Sequence, residues 1–299
     1  MLRNILIVVF ICACFNIEAK EFTADTISFL ALGDSYTIGQ SVDSTLRWPV
    51  QLGDSLKSKG KTVDGFQIRA VTGWTTTSLL NSLTSDQITN SYSSVALLIG
   101  VNNFFQGRPE SIYIVDFQQL LDSAIQYCTA GKEGVFVVSI PDYGYTPYGE
   151  PNQTSISMQT DRYNFIGDSI SVANGIEFIN ITDISRQWTS DPELAAQDRL
   201  HPSGKQYSLW VNRILQNTVE STATRSALSV PFPAKKVGGN LWRFERVLTV
   251  NVLSWNGQVL YQKGVVKGEV IDLSGINGSI LNVFSASEQW SKVLQRSGK

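Results

Sequence analysis

The feature that most constrains the fold is a regular alternation of short apolar runs and amphipathic stretches between residues 27 and 222. The apolar runs have the length of strands, whereas the stretches between them carry apolar residues at helical spacing. Strands that alternate with helices form βαβ units, in which helices cover both faces of a parallel sheet. Right-handed crossovers then favour a doubly wound α/β fold. The predicted strands are 27–32, 67–71, 95–99, 134–140 and 176–181, and the predicted helices are 47–59, 75–84, 110–128, 155–173 and 203–221.

The amino-acid composition and the pattern of apolar runs change after residue 222. Residues 223–239 have the Ser, Thr and Pro content of a linker, and residues 240–299 contain short β-rich runs. Asn256-Gly257 and Asn277-Gly278 lie between these runs and are typical of hairpin turns. The last part of the chain, 226–299, carries a net charge of +5, whereas the preceding residues carry −7. We therefore predict a small all-β C-terminal domain with a separate role, formed by runs at 247–253, 258–262, 269–273 and 279–284.

The N-terminus is typical of a secretory signal peptide. Arg3 precedes a short apolar run, and Ala19 supplies the small residue at a cleavage site. We expect residues 1–19 to be removed and the remaining chain, 20–222 and beyond, to be secreted or held on the outer-membrane surface after periplasmic export. A lipoprotein signal that ends at Cys14 is the alternative. The run is too short to span a bilayer comfortably.

Charge and cysteine content limit the function classes. A net charge of −2 leaves no basic surface of the kind that binds nucleic acid. A hydrophobic content of 42% is ordinary for a globular protein. We expect the protein to be a monomer. Two of the three cysteines lie in the predicted signal, so the mature chain keeps only Cys128 and can form no intrachain disulfide. Its apolar surroundings in the sequence predict a buried residue.

Ser35 follows the first predicted strand in the sequence Gly33-Asp34-Ser35. Open α/β sheets place their ligand sites at the carboxyl ends of strands, where this hydroxyl would lie. A turn with a capping serine is the alternative interpretation. The Gly-x-Ser-x-Gly elbow of α/β-hydrolases does not fit, because Thr37 occupies the position of its second glycine.

His201 is the only histidine of the chain. It lies three residues after Asp198, just before the last predicted helix of the α/β region. This spacing lets a carboxylate hold one ring nitrogen while the other accepts a proton from a hydroxyl. The same pair could bind a metal, but the sequence offers no second histidine or cysteine cluster for it, so we predict no metal and no cofactor.

Two further residues could stabilise an oxyanion. Gly73 follows the second predicted strand and could present its backbone N–H, and Asn102 follows the third and offers a side-chain amide. Because Ser35, Gly73 and Asn102 follow successive parallel strands, we expect them at one edge of the sheet, within reach of His201. This convergence favours Ser35 as a nucleophile.

These segments resemble a known family. GDSYT at 33–37, Gly73, GVNN at 100–103 and DRLH at 198–201 resemble, in order and spacing, the four blocks of SGNH/GDSL hydrolases. The resemblance covers residues 27–220. It implies a flavodoxin-like, three-layer α/β/α sandwich with a five-stranded parallel sheet, and ester hydrolysis through a serine acyl-enzyme. It also implies a triad of Ser35, Asp198 and His201, and an oxyanion hole of Ser35, Gly73 and Asn102.

One position departs from the family pattern. The third block usually reads Gly-x-Asn-Asp, and Asn103 stands where that aspartate would be. Asn102 keeps the amide that the oxyanion hole would use. The question raised by Asn103 is therefore how the loop that carries Asn102 is held.

The C-terminal part resembles the β-sandwich sorting domain of type IX secretion substrates. The matching segments are VLSWNGQVLYQ at 252–262 and VIDLSGINGSILNVF at 270–284, followed by a basic end. The resemblance implies that the secretion machinery is a partner of residues 240–299. A carbohydrate-binding module, for which Trp242, Trp255 and Trp290 could serve, and an inert β cap are the alternatives.

The sequence thus predicts a secreted serine ester hydrolase that acts on a small or lipid-like acyl ester. A carbohydrate acetylesterase would use the same residues, and a catalytically inactive binding protein on the same scaffold is a third interpretation. Aromatic residues in the loops near the expected site could line an apolar pocket or pack the loops against the sheet; they are Trp74, Phe104, Phe105, Tyr143, Tyr145 and Tyr148.

Overall fold

The computed structural model of the 299-residue chain describes residues 22, 24–85, 88, 91–220 and seven C-terminal strands. These strands are 234–238, 241–244, 248–253, 259–265, 270–272, 280–285 and 290–295. The predicted signal peptide, both predicted Asn-Gly turns and most of the predicted linker lie outside the described residues.

The central element is a five-stranded parallel sheet, as predicted. Its strands are β1 (Thr26–Gly33), β2 (Thr62–Ala70), β3 (Ser94–Leu98), β4 (Val135–Val138) and β5 (Glu177–Ile179). They are arranged in the order β2-β1-β3-β4-β5, and every neighbouring pair is parallel. The inner strands β3 and β4 are buried along their whole length, which explains why they appear in the sequence as continuous apolar runs.

Eight α-helices accompany the sheet in the described residues. They are α1 (Ser35–Ile38), α2 (Trp48–Ser58), α3 (Thr76–Ser85), α4 (Val101–Phe105), α5 (Glu110–Tyr127), α6 (Gln153–Ala173), α7 (Thr182–Ser185) and α8 (Gly204–Glu220). The five longer helices agree with the predicted ones to within two residues at each end. The three short ones were not predicted, because four or five residues are too few to show helical periodicity.

The helices pack in two groups. α2 contacts α8, whereas α3 contacts α5 and α5 contacts α6. This grouping is the one expected for helices on the two faces of a doubly wound sheet. The largest fully buried side chains include Trp48 and Trp210 in the first group and Tyr113 and Phe117 in the second. Cys128 is buried, as predicted.

The strand order puts the topological switch point of the sheet at the carboxyl edge of β1 and β3, where ligands bind in folds of this type. The chain leaves the central strand β1 toward one side of the sheet and reaches β3 on its other side, which makes this edge the topological switch point. Gly33 ends β1 in close contact with its neighbours: a Cβ there would lie 2.5 Å from the carbonyl oxygen of Leu98 and would also overlap the Thr37 hydroxyl. Glycine is therefore required for β1, β3 and the following helix to meet.

The C-terminal strands pair in two antiparallel sheets. The strands are β6 (Ala234–Gly238), β7 (Leu241–Phe244), β8 (Leu248–Leu253), β9 (Val259–Val265), β10 (Val270–Asp272), β11 (Ile280–Ser285) and β12 (Trp290–Gln295). One sheet has the order β10-β7-β6 and the other β12-β11-β8-β9. The four predicted β-rich runs correspond to β8 to β11, whereas β6, β7 and β12 were not among them. None of the helices in the described part of the chain is long and apolar enough to cross a membrane.

Candidate active site

Ser35 is the first residue of the short helix α1, directly after β1. The Asp34 side chain caps this helix by accepting a hydrogen bond from the backbone N–H of Tyr36 at 3.0 Å. Gly39 ends the helix in a left-handed conformation, with φ of 72°. Ser35 is thus held at a tight strand-to-helix junction at the switch point of the sheet, with only 5% of its surface exposed.

Asp34 is a feature of the site that the sequence did not predict. Its side chain is completely buried beside Ser35, and its Oδ2 atom has no hydrogen-bond partner among the described residues. Burial raises the pKa of Asp34 to about 7, because the loss of hydration outweighs the backbone N–H groups that lower it, of which Tyr36 is the strongest. This carboxyl group is therefore largely protonated below neutral pH.

Asp198 and His201 form the pair that the sequence predicted. The His201 Nδ1 atom lies 2.6 Å from Asp198 Oδ2, and the other carboxylate oxygen accepts the backbone N–H groups of Leu200 at 3.0 Å and His201 at 2.9 Å. Because a carboxylate holds Nδ1, the Nε2 atom is left to exchange a proton with another group. The His201 ring also contacts the Tyr36 ring edge to face, with 5.9 Å between centroids.

Ser41 completes the surroundings of Asp198. Its hydroxyl donates a hydrogen bond to Asp198 Oδ2 at 2.5 Å and so joins the segment after Ser35 to the histidine loop. Partial burial would raise the pKa of Asp198, but the hydrogen bonds from Ser41, Leu200 and His201 prevail and lower it to about 2. Asp198 is therefore charged at neutral pH, as the stabilisation of an imidazolium requires.

Gly73 and Asn102 also meet at this edge. Asn102 donates an amide proton to the carbonyl oxygen of Trp74 at 3.0 Å, and Gln106 donates to that of Gly73 at 2.8 Å. The other side of the same loop is tied to the nucleophile segment, because the Thr72 hydroxyl donates to Gln40 at 2.7 Å. Gly73 has a φ of 84°, and a Cβ there would meet nothing within 4 Å. The glycine is therefore needed for its backbone conformation and not for a close contact.

The two asparagines of the GVNN segment have different surroundings. Asn103 is fully buried; its Oδ1 accepts the Thr76 N–H at 3.0 Å and its Nδ2 donates to the Thr76 hydroxyl at 2.7 Å. Asn102 is 9% exposed and uses one of its two amide protons on Trp74. Each amide thus has a second proton, but of the two asparagines Asn102 is the one with exposed surface, so it is the better placed to donate to a ligand.

Hydrogen bonds and ring contacts thus bring together all four segments that the sequence singled out. The sequence missed the residues that make these connections: Tyr36, Gln40, Ser41, Thr72, Thr76 and Gln106. A motif spacing carries no signal for them, because each acts across a long interval of the chain. In the case of Ser41 and Asp198 that interval is 157 residues.

The aromatic residues near the site divide into two groups. Phe104 and Tyr143 are buried and stack on each other with ring centroids 6.2 Å apart, so they pack the loops. Phe105 is 52% exposed and touches Tyr143 with its edge at 6.1 Å, and Tyr148 is 54% exposed. The backbone N–H of Tyr148 donates to the carbonyl oxygen of Arg199 in the histidine loop. The packing interpretation is therefore confirmed for Phe104 and Tyr143, whereas a pocket lined by the exposed rings of Phe105 and Tyr148 stays a prediction.

Metal coordination is not suggested by the side chains in the described ranges, where no group of three or more His, Cys, Asp or Glu residues could hold an ion. The chemistry that the arrangement can support is nucleophilic. A serine, a histidine held by a charged aspartate, and nearby N–H donors are the groups that acyl transfer requires.

Solved structures with similar folds are esterases and related hydrolases. The alpha/beta hydrolase LAE5 from the metagenome of Lake Arreo is 16% identical, with a TM-score of 0.52 over 64% of this chain and 95% of its own. The psychrotrophic esterase EstA from Pseudoalteromonas sp. is 17% identical, with a TM-score of 0.50 over 66% and 98%. The acetylxylan esterase Axe2 from Geobacillus stearothermophilus is 16% identical, with a TM-score of 0.50 over 68% and 96%. At these identities the likeness shows a shared fold.

No curated protein sequence matches the chain. The profile of the GDSL-like lipase/acylhydrolase family, in contrast, matches residues 31–209, which is more than half of the chain and spans all four segments of the site. The protein therefore belongs to the GDSL-like lipase/acylhydrolase family of carboxylic ester hydrolases.

Proposed function

We propose that the protein is a secreted serine esterase in which Ser35 is the nucleophile and His201 the general base, oriented by Asp198. The observation that carries this proposal is the position of His201. Its Nδ1 is 2.6 Å from a carboxylate with a depressed pKa, and its ring contacts Tyr36, the residue next to Ser35. A histidine held in this way has Nε2 available for a serine hydroxyl.

The reaction would run in two stages. Ser35 Oγ attacks the ester carbonyl and gives its proton to His201 Nε2, while Asp198 stabilises the imidazolium. The N–H groups of Ser35 and Gly73 and the free amide proton of Asn102 stabilise the oxyanion. His201 then protonates the leaving alcohol, and a water molecule, activated by the same histidine, releases the acyl group from Ser35.

We infer that the substrate is a small or lipid-like acyl ester. The exposed Phe105 ring extends α4 beyond Asn102, and the exposed Tyr148 ring is anchored to the histidine loop, so apolar surface is present on both segments. A carbohydrate acetylesterase is the second candidate. It is favoured by the same two exposed rings, because a sugar can stack on an aromatic face, and Axe2, one of the structural neighbours, is an acetylxylan esterase.

A series of p-nitrophenyl esters with increasing acyl length, together with acetylated xylan, tests this proposal. Release of an acyl group by the wild type, its loss in Ser35→Ala and its retention in Ser58→Ala would support it. Ser58 is a matched control, because it is exposed near the end of α2 and donates only to the carbonyl oxygen of Ser55. An unchanged rate in Ser35→Ala would refute the mechanism. No turnover of any ester would favour an inactive binding protein.

We further propose that residues 1–19 direct export and that residues 240–299 are a sorting domain recognised by a type IX secretion system. The support lies in the sequence: the apolar N-terminal run, the linker composition and the +5 charge of residues 226–299. A chain that ends at Ser226 should keep its esterase activity but remain in the periplasm of its native host. Normal secretion of this chain, with binding to an insoluble polysaccharide lost, would favour a carbohydrate-binding module instead.

A further inference from the structure

Asn103 is joined by two hydrogen bonds to a single residue, Thr76, which begins α3 three residues after Gly73. The orientation of its amide follows from chemistry, because the Thr76 backbone N–H can only donate and must therefore face Oδ1. The Nδ2 group then faces the Thr76 hydroxyl, which accepts its proton at 2.7 Å.

The Thr76 hydroxyl has one proton of its own, and Asp116 receives it. Asp116, on α5, accepts hydrogen bonds at the same Oδ2 atom from Thr76 at 3.0 Å and from Thr77 at 2.5 Å. The three side chains thus form a directional chain that runs from the Asn103 amide through the Thr76 hydroxyl to the Asp116 carboxylate. Each donor in this series of hydrogen bonds has one acceptor. Thr76, its central member, is completely buried.

We propose that Asn103 and Asp116 act as a matched pair of positioning residues, in which the carboxylate at 116 requires an amide at 103. An aspartate at 103 could still accept the Thr76 N–H, but its second oxygen would face a hydroxyl whose only proton is already given to Asp116. Two carboxylates would then compete for one proton, and one buried oxygen would lose its partner. The family pattern Gly-x-Asn-Asp would therefore place two carboxylates in competition for the Thr76 proton beside Asp116, and Asn103 avoids this competition.

The pair acts on the oxyanion loop through Thr76. The Asn102 amide donates to the carbonyl oxygen of Trp74, and the Gln106 amide donates to that of Gly73. Asn103 binds the backbone N–H and the hydroxyl of Thr76. These side chains come from one short segment and fix the relative positions of Gly73 and Asn102. A displacement of about 1 Å between catalytic groups can lower a rate by roughly 10²-fold. This inference rests on the proposed role of Gly73 and Asn102 in the oxyanion hole.

The test exchanges the amide at position 103 and the carboxylate at position 116 in the full chain. The quantities measured are kcat, KM and the midpoint of thermal unfolding. Asn103→Asp should lower kcat by roughly ten- to a hundredfold and change KM by less than about threefold, because loop position is disturbed and not substrate affinity. Asp116→Asn should be nearly neutral, since an amide can turn its oxygen toward the threonines, whereas Asp116→Ala should lower kcat.

The double variant Asn103→Asp with Asp116→Asn restores the series of hydrogen bonds, which then runs from position 116 to position 103. The new carboxylate at position 103 would accept from Thr76, and the new amide at position 116 would donate to both threonine hydroxyls. The kcat and the thermal midpoint should therefore return to within about threefold and a few degrees of Asp116→Asn. The matched control is Asn103→Asp with Asp122→Asn. Asp122 is an exposed carboxylate on the same helix that accepts from Gln118, and its removal should restore nothing.

Recovery in the Asp116 pair but not in the Asp122 pair supports the proposal. Full activity of Asn103→Asp, no recovery in the double variant, or equal recovery with Asp122→Asn would overturn it. If Asn103→Asp is insoluble, the yield of soluble folded protein replaces activity as the readout. Its recovery on addition of Asp116→Asn, but not of Asp122→Asn, supports the proposal, and its absence overturns it. Retained activity in Ser35→Ala would contradict the proposed function alone, because the thermal midpoints still test the pairing.

Discussion

Two aspartates flank the proposed catalytic groups and have opposite surroundings. Asp34, before Ser35, is completely buried, and its pKa is raised to about 7. Asp198, in the histidine loop, is partly exposed, receives hydrogen bonds from four groups and has a pKa of about 2. The comparison shows that the depth of burial, set against the hydrogen bonds that each carboxyl group accepts, decides which of the two aspartates carries charge in this site.

This difference suits the two positions. A charged Asp198 stabilises the imidazolium that forms on His201. A charge on Asp34, in contrast, would lie one residue from Ser35, and a negative charge near the nucleophile opposes the developing negative oxygen of a tetrahedral intermediate. A protonated Asp34 can cap α1 through Oδ1 without adding that charge.

The largest expected effects come from the two groups that exchange the proton. Ser35→Ala and His201→Ala should each lower kcat by at least about 10⁴-fold, and the double variant should lose little more, because the triad acts as a unit. Steady-state kinetics on one p-nitrophenyl ester measures this. A double variant whose loss equals the product of the two single losses would count against a shared mechanism.

The next prediction sharpens the comparison of the aspartates directly. Asp198→Asn should lower kcat by roughly 10³–10⁴-fold, because the amide cannot stabilise the imidazolium and favours the wrong tautomer of His201. Asp34→Asn should cost less than about tenfold, because the amide oxygen can still accept the Tyr36 N–H and no charge is lost at acidic pH. Equal losses in the two variants, measured at pH 6, would mean that Asp34 acts as a charged group.

The oxyanion side gives intermediate effects. Asn102→Ala should lower kcat by about 10²–10³-fold, as removal of one oxyanion donor typically does. Asn103→Ala should cost about tenfold, because it acts through the position of Thr76. If Asn103→Ala were the more damaging under saturating ester, the amide in the oxyanion hole would be that of Asn103, and the alignment of the GVNN segment would be shifted by one residue.

The smallest effect on activity, but a clear one on stability, concerns pH. The folded-state pKa of Asp34 is raised from 3.8 to about 7, so the native state holds this proton more tightly than the unfolded chain does. The contribution of Asp34 to the free energy of unfolding should therefore fall between about pH 4 and pH 7, by up to about 4 kcal/mol.

Asp198 has the opposite sign. Its folded-state pKa is lowered from 3.8 to about 2, so its contribution is present above about pH 4 and is lost as the pH falls through 2. Urea unfolding of the wild type and of Asp34→Asn at pH 5 and pH 8 separates the two. The variant should lose less stability than the wild type between these pH values; an identical loss would show that Asp34 is not the group that titrates.

Local patterns in the sequence account for much of this fold. The strand and helix runs predicted β1, β3 and the five long helices closely, because buried parallel strands and amphipathic helices have distinct periods. The strands of the C-terminal part were predicted less completely: β6 carries Lys235 and Lys236 and shows no apolar alternation. The short helices α1 and α4, which carry Ser35 and Asn102, left no periodic signal.

The electrostatics of the site could not be predicted from the sequence. Asp34 lies one residue before Ser35, and Asp198 lies three residues before His201. The neighbouring sequence does not indicate which of the two carboxyl groups is charged. The answer depends on burial of Asp34 beneath other elements and on the hydroxyl of Ser41, which reaches Asp198 across 157 residues. The role of Asn103 is likewise visible only once Thr76 and Asp116 are placed beside it.

The measurement that tests the central claim most directly is covalent labelling with an organophosphonate ester, followed by intact mass and peptide mapping. The wild type should gain one phosphonyl group, on Ser35, because His201 activates that hydroxyl and the oxyanion donors hold the phosphoryl oxygen. His201→Ala should react at least about 10³-fold more slowly, and Ser35→Ala should gain no label. Labelling at another residue, or equal labelling rates with and without His201, would contradict the assignment of Ser35 as a histidine-activated nucleophile.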